Sequence, residues 1–215
     1  MTTLKTAVIG LGNIGQAVAG NFVKSNRSFI AADRNVEKAK ELSEKWGPGA
    51  VPSDIPAAVK NADIVILSIP FESICGFMKE YASDLEGKII VDPSNPIAPD
   101  ANGGFKKIIE KDESAGEINA ASLPKNSKLV KALGTLGAGS LSGSAYQTPE
   151  KAVLFYAADD TSIDNDVEQL IQNSGFEPAR IGGIDQSIRI EVFGDLHEFG
   201  ALGKTVTLSE AKQKI

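Results

Sequence analysis

The chain of 215 residues carries 22 Lys plus Arg against 28 Asp plus Glu, a net charge of −6, with one cysteine and one histidine. That length suits one large α/β domain or a domain with a smaller appendage, and the acidic balance argues against a general nucleic-acid or anionic-membrane binder. A lone cysteine, Cys75, excludes an internal disulfide and a cysteine metal cluster, and suits the cytoplasm. No apolar run reaches the roughly 18 residues of a membrane span, and strand-like sequence within the first five residues leaves no room for a signal peptide.

Leu4 to Ile9 is apolar almost throughout after Lys5, the pattern of a strand covered on both faces. It stops at the glycines of "GLGNIG", after which Ile14, Ala17, Val18 and Phe22 fall on one face of a helix over Asn13 to Lys24. Ser28 to Ala32 reads as the second strand. A helix from Asn35 to Trp46 follows, with Val36, Ala39, Leu42 and Trp46 inward. A short strand near Ala50 and Val51, a helical turn over Asp54 to Asn61, and the strand "DIVILSI" from Asp63 to Ile69 continue the alternation. Phe71 to Tyr81 reads as helix and "KIIVDP" from Lys88 as the fifth strand, so strands and helices alternate as in a doubly wound parallel sheet.

The second half is less regular. Prolines and glycines in "DPSNPIAPDANGG", Asp92 to Gly104, predict a long loop, followed by helical stretches at Phe105 to Lys111 and Ala115 to Ala121. Lys128 to Leu133 reads as a sixth strand, and "GTLGAGSLSG", Gly134 to Gly143, as a second glycine-rich loop. Ala152 to Ala157 is a strand, Ser162 to Ser174 a helix closed by Gly175, Phe176 to Ile181 a further strand, and Asp185 to Glu198 a helix. The expectation is an α/β Rossmann sheet in which residues 1–122 form the dinucleotide-binding domain. Residues 123–215 form a smaller αβ segment on the same sheet.

Three features turn the glycines into a cofactor motif. They follow a strand, they open a helix, and Asp33 ends the next strand 18 residues past Gly15. Gly10 makes the tight turn, Gly12 lets a pyrophosphate approach the backbone, and Gly15 lets the helix pack close to the strands. The free N–H groups of Asn13, Ile14 and Gly15 then face the phosphate at the positive end of the helix. At "ADRNVEK", Asp33 is placed for the ribose hydroxyls of NAD, whereas Arg34 and Lys38 can reach the 2′-phosphate of NADP, so NADP(H) is favoured with NAD(H) still open.

Ligands in such sheets lie outside the carboxyl ends of the strands. Ser68, Ile69, Pro70 and Phe71 can wall one face of a nicotinamide, and Asn95 with Pro96 can shape its ribose and amide surroundings. Neither a Tyr-x-x-x-Lys pair of dehydrogenase spacing nor a nucleophile elbow is present, and one histidine with one cysteine gives no zinc site. No residue is therefore assigned as a catalytic acid, base or metal ligand. Direct hydride transfer between two bound rings needs none.

The segments "AVIGLGNIGQAVA", "AADRNVEKA", "ADIVILSIPFESI" and "VDPSNPI" together resemble the NADP oxidoreductase family that reduces the deazaflavin coenzyme F420. The resemblance covers Leu4 to about Ile97 well and the remainder loosely. It implies phosphate binding at Gly10, Gly12 and Gly15, a 2′-phosphate partner at Arg34 with Lys38 following, and a nicotinamide flank at Ile69 to Phe71. Where the family commonly has serine before that arginine, this chain has Asp33. The resemblance also implies a second redox ring, deazaflavin or flavin, near Thr135 to Gly139. A small-molecule redox acceptor is the expected partner, with no nucleic acid or membrane, and a homodimer is compatible with the sequence. Two alternatives stay open: a non-catalytic NADP(H)-binding sensor or regulatory module, and an NAD-dependent dehydrogenase using Lys131 or His197 as acid.

Overall fold

The structure is a computed structural model and describes residues 4–215. Its first half is a regular alternation: β1 (Thr6–Ile9), α1 (Asn13–Lys24), β2 (Phe29–Ala32), α2 (Val36–Trp46), β3 (Ala50–Ser53), α3 (Ile55–Asn61), β4 (Ile64–Leu67), α4 (Phe71–Glu80), α5 (Ala82–Leu85) and β5 (Ile89–Asp92). Every residue of β1, β4 and β5 is buried, which explains why these segments read as continuous apolar runs rather than alternating ones. Successive residues serve opposite faces of the sheet. Val8 packs with Val18 and Phe22 of α1 on one side, while Ala7 and Ile9 join Val59 of α3 and Ile74 of α4 on the other.

The second half adds β6 (Ile97–Pro99), β7 (Phe105–Lys107), α6 (Ala115–Ala120), β8 (Lys128–Lys131), α7 (Ala138–Gly143), β9 (Val153–Ala158), α8 (Asp164–Asn173), β10 (Glu177–Arg180) and α9 (Leu208–Ala211). One sheet of order β10-β9-β8-β5-β4-β1-β2-β3 runs through both halves. Its pairs are parallel except β8 with β9, which meet antiparallel over Val130–Ala158 and Lys131–Ala157. The chain between β8 and β9 docks α7 on α1 and does not cross the sheet as a long helix, so this pair departs from the all-parallel expectation.

Four local expectations are corrected. Phe105 to Lys111 is not helical: Phe105–Lys107 pairs antiparallel with Ile97–Pro99 in a hairpin whose turn uses Gly103 and Gly104 at φ of 92° and 77°. Within the supposed loop Gly134 to Gly143, residues Ala138–Gly143 form α7, because Leu141 is fully buried against the core and its carbonyl accepts from Asn21 Nδ2 at 2.8 Å. The stretch Asp185 to Glu198 is a 3-10 helix over Ile184–Ile190 and then turns. Phe193 sits there at φ 75°, and a side chain on Gly194 would collide with the carbonyls of Ile188 and Arg189. Finally, Val36, the first residue of α2, is exposed rather than inward, while Ala39 and Ser43 carry the burial of that helix.

The contact between α1 and α7 is stitched by polar groups. Asn21 is 1% exposed, and the Tyr146 hydroxyl lies 2.7 Å from the carbonyls of both Asn21 and Asn173. An Asn21→Leu substitution would strand the buried Leu141 carbonyl. It is expected to cost about 1–3 kcal/mol in denaturant unfolding, and a change below about 0.5 kcal/mol would contradict this reading.

Candidate functional site at the strand exits

At the exit of β1 backbone touches backbone. Gly10 has φ 88°, and a Cβ there would collide with the Ser68 carbonyl beyond β4. One on Gly15 would collide with the Gly10 carbonyl. Gly12 is different: nothing lies within 4 Å of where its Cβ would stand, and it faces open space. Gly12 is also the N-cap of α1, with no side-chain cap and no acidic residue in the first turn. The first intrahelical bond runs from Gln16 N to Gly12 O at 2.9 Å, so the amides of Asn13, Ile14 and Gly15 precede the helical ladder.

Asp33 braces this turn. Its carboxylate accepts from Leu11 N at 2.8 Å, Asn35 N at 3.0 Å and Lys38 Nζ at 3.4 Å. Burial pushes the Asp33 pKa up, but the amides of Asn35 and Leu11 and the Lys38 cation together outweigh it and hold the carboxyl below its ordinary value. The charge expected to repel a 2′-phosphate is thus already compensated inside the fold, and Lys38 is drawn into that compensation. Arg34 is exposed and enters no ion pair or side-chain hydrogen bond among the described residues.

A cleft of about 520 Å³ opens over the ends of β1, β4, β5 and β8. Of the residues anticipated from sequence, Gly12, Asn13, Ile14, Ser68, Ile69, Pro70, Phe71 and Asn95 line it together. Gly10 and Gly15 are spent on close packing, and Asp33, Arg34 and Lys38 stand outside it at the end of β2. Pro96 is buried and does not line the cleft; its carbonyl accepts from Ile108 N at 2.9 Å and starts the β6–β7 hairpin. The far wall comes from Ile97, Phe105, Leu136, Gly137, Val192, His197, Glu198 and Phe199. Of these, Leu136 and Gly137 fall in the loop Thr135 to Gly139, Ile97 closes the segment "VDPSNPI", and His197 is a candidate acid from sequence; the sequence assigns no site role to the rest. Phe105 and the closing turns carry no motif that points to the cleft.

The two walls meet at Gly134. A side chain there would strike the Pro93 carbonyl, and the Gly134 carbonyl receives both Asn95 Nδ2 and His197 Nε2 at 3.0 Å. Asn95 Oδ1 in turn accepts from Val192 N at 2.7 Å. The Asn95 side chain therefore shapes the cleft by clamping its walls. Behind the floor, Lys131 is 2% exposed, with Nζ 3.0 Å from Asp92 and 3.9 Å from Glu191, and it also donates to the Ser94 carbonyl. Glu191 closes the network by accepting from the Ala115 and Gly116 amides of α6 at 2.9 and 3.0 Å. Lys131 does not reach the cleft, which removes it as an acid for a substrate there.

His197 faces the cleft but is fully engaged. Phe199 N donates to Nδ1 at 2.9 Å, which makes Nε2 the protonated nitrogen and the donor to Gly134. Burial is the main reason its pKa lies below the ordinary value; Lys131 acts in the same direction, against Gly134 and Glu198. A neutral imidazole with both nitrogens committed is a strut.

Residues 5–96 match the family described as NADP oxidoreductase, coenzyme F420-dependent. The matched segment holds the expected nucleotide-binding residues, from Gly10 to Pro96, and leaves Lys131, the loop Thr135 to Gly139 and His197 outside it. Among curated relatives, an opine dehydrogenase of Arthrobacter is 32% identical over 131 residues, covering 52% of this chain and 34% of that protein. An F420-dependent NADP reductase of Methanocaldococcus jannaschii is 28% identical over 138 residues, covering 60% of this chain and 62% of that one. The chain thus spans between a third and two thirds of the length of these two relatives. Among solved structures, a hypothetical protein from Sinorhizobium meliloti superposes with a TM-score of 0.83 at 28% identity, covering 96% of both chains. The mostly parallel Rossmann-type sheet is therefore a shared architecture across the full length. The far wall of the cleft lies beyond the matched segment.

His197 also makes a pH signature. Its folded pKa lies below its unfolded value of about 6.5, so its contribution to stability is present above that pH and is lost as the pH falls beneath it. The fall in Tm between about pH 7 and 5 is expected to be shallower in His197→Gln than in the native chain; equal slopes would contradict a buried neutral imidazole.

Proposed function

We propose that this chain is an NADP(H)-dependent oxidoreductase, working in the cytoplasm, in which hydride passes directly between the nicotinamide and a second small redox molecule held over the strand exits. Flavin and deazaflavin rings are candidates for that molecule. The observation that carries the reading is the bare start of α1: three amides ahead of the helical ladder, an N-cap without a side chain and open space beside Gly12. Such a terminus binds an anion through N–H groups and the helix dipole, and a dinucleotide diphosphate has the charge and width for it.

The remaining roles follow from placement. The amides of Asn13, Ile14 and Gly15 hold the diphosphate. Exposed Arg34 takes the 2′-phosphate, with Lys38 shared between that phosphate and Asp33. Ile69, Pro70 and Phe71 give the nicotinamide an apolar wall, while Asn95 fixes the width of the cleft. The dinucleotide supplies or accepts the hydride, and this chain's residues bind, orient and exclude water. The names of the curated relatives, reductases and dehydrogenases, support the same class of reaction.

Three substitutions separate binding from folding. Gly12→Ala adds a methyl group where the protein has only space, so its Tm should stay within about 2 °C of native while NADPH affinity falls at least tenfold by calorimetry. Gly15→Ala should lower Tm, because its methyl group meets the Gly10 carbonyl. If Gly12→Ala binds NADPH like the native chain, the diphosphate does not sit there. Arg34→Ala should weaken NADPH by about 1–3 kcal/mol and leave NADH nearly unchanged; equal losses would remove Arg34 as the reader of the phosphate.

A further inference from the structure

Glu198 is the one charged side chain among the described residues lining the cleft, with His197 held neutral beside it. Its Oε1 accepts from Gly137 N, and its own N–H bonds the Thr135 carbonyl at 3.3 Å, so it is fixed against the β8 exit. It forms no ion pair among the described residues. The rest of the lining is backbone, small polar groups and apolar side chains that include Phe71, Phe105 and Phe199. A carboxylate without a cation among the described residues, in a lining that also carries aromatic rings, attracts a positive charge and repels a negative one.

Taking the cleft as a hydride-transfer site, as proposed above, we propose that the molecule reduced in it is a cation, a C=N bond carried as an iminium, with Glu198 as its counterion. Hydride leaves the nicotinamide C4, a C–H bond forms at the iminium carbon, and the π pair of C=N moves onto nitrogen to give a neutral amine. The nicotinamide is left as the pyridinium cation. One positive charge is present before and after, so Glu198 is balanced throughout and no proton is needed. A neutral carbonyl would become an alkoxide close to Glu198 and would require a proton donor. Among the described residues the cleft offers no free imidazole or ammonium for that role, since Lys131 lies behind the floor and His197 Nε2–H is held by Gly134, and Glu198 as a carboxylate has no proton to give. The same charge argument ranks anionic ring systems below cationic ones.

The test uses the full chain with NADPH and three acceptors: an N-alkylated cyclic iminium, the cyclic ketone of the same ring, and a deazaflavin. NADPH binding is measured first by calorimetry. Its absence removes the cofactor reading and this inference with it. With NADPH bound, the iminium should be reduced with a kcat/KM at least tenfold above that of the ketone, and Glu198→Gln should cut that preference at least tenfold. Gln retains an acceptor for Gly137 N, and its Tm checks the fold. Equal use of ketone and iminium, preference for the deazaflavin, or a preference unchanged in Glu198→Gln overturns the inference. Should no acceptor turn over, a saturated quaternary ammonium of the same ring decides. It should bind the NADPH complex at least tenfold tighter in the native chain than in Glu198→Gln, and equal affinities or no binding overturn the proposal.

Discussion

Everything at this site depends on backbone packed against backbone where β1 leaves the sheet. Gly10 lies on the Ser68 carbonyl and Gly15 on the Gly10 carbonyl, with the Asp33 carboxylate clasping Leu11 N from the neighbouring strand. These contacts bring the start of α1 close to the ends of β4 and β5, and they leave its first amides without partners among the described residues. Three helices are capped by side chains, with Asp54 accepting from Ala57 N, Asn35 from Lys38 N and Ser114 from Glu117 N, whereas α1, α4, α7 and α8 begin without one. At α7 the Glu198 carboxylate accepts from Gly137 N, whereas α1 opens beside the open space at Gly12, and an orphaned N–H costs free energy unless something accepts from it.

The opposite wall repeats the device. Gly134 lets the β8 exit lie against the Pro93 carbonyl, and its own carbonyl gathers Asn95 and His197. Because Asn95 also holds Val192 and Glu191 caps α6, the closing third of the chain is tied into the floor through buried polar groups. Buried charges such as Lys131, Asp92 and Glu191 are tolerated when paired and hydrogen-bonded, and here they fix where the walls stand. The cleft is assembled by contacts of long sequence separation.

That separation explains what the sequence discloses. β1, β4 and β5 are legible because central parallel strands are apolar throughout, and the glycine turn is legible because Gly10 and Gly15 sit where no side chain fits while Gly12 stands at open space. Asp33 was visible as a residue, yet its occupation by Leu11, Asn35 and Lys38 was not, since it depends on how β1 and β2 sit side by side. Phe105, Ile108 and Ile109 have helical spacing, but the positive-φ turn that Gly103 and Gly104 permit and pairing with Ile97–Pro99 override it. The glycine-rich Ala138–Gly143 is a poor helix by propensity and becomes one through burial of Leu141 on α1. Glu198 and Phe199 reach the cleft through irregular turns that follow Ile190, where the sequence reads as helix up to Glu198.

The most direct measurement is a crystal structure of the chain grown or soaked with NADPH. The diphosphate should lie within hydrogen-bond distance of the Asn13, Ile14 and Gly15 amides, with the nicotinamide between the Ile69–Phe71 wall and the cleft that Glu198 borders. A nucleotide bound elsewhere, or a diphosphate that leaves those amides untouched, would contradict the account.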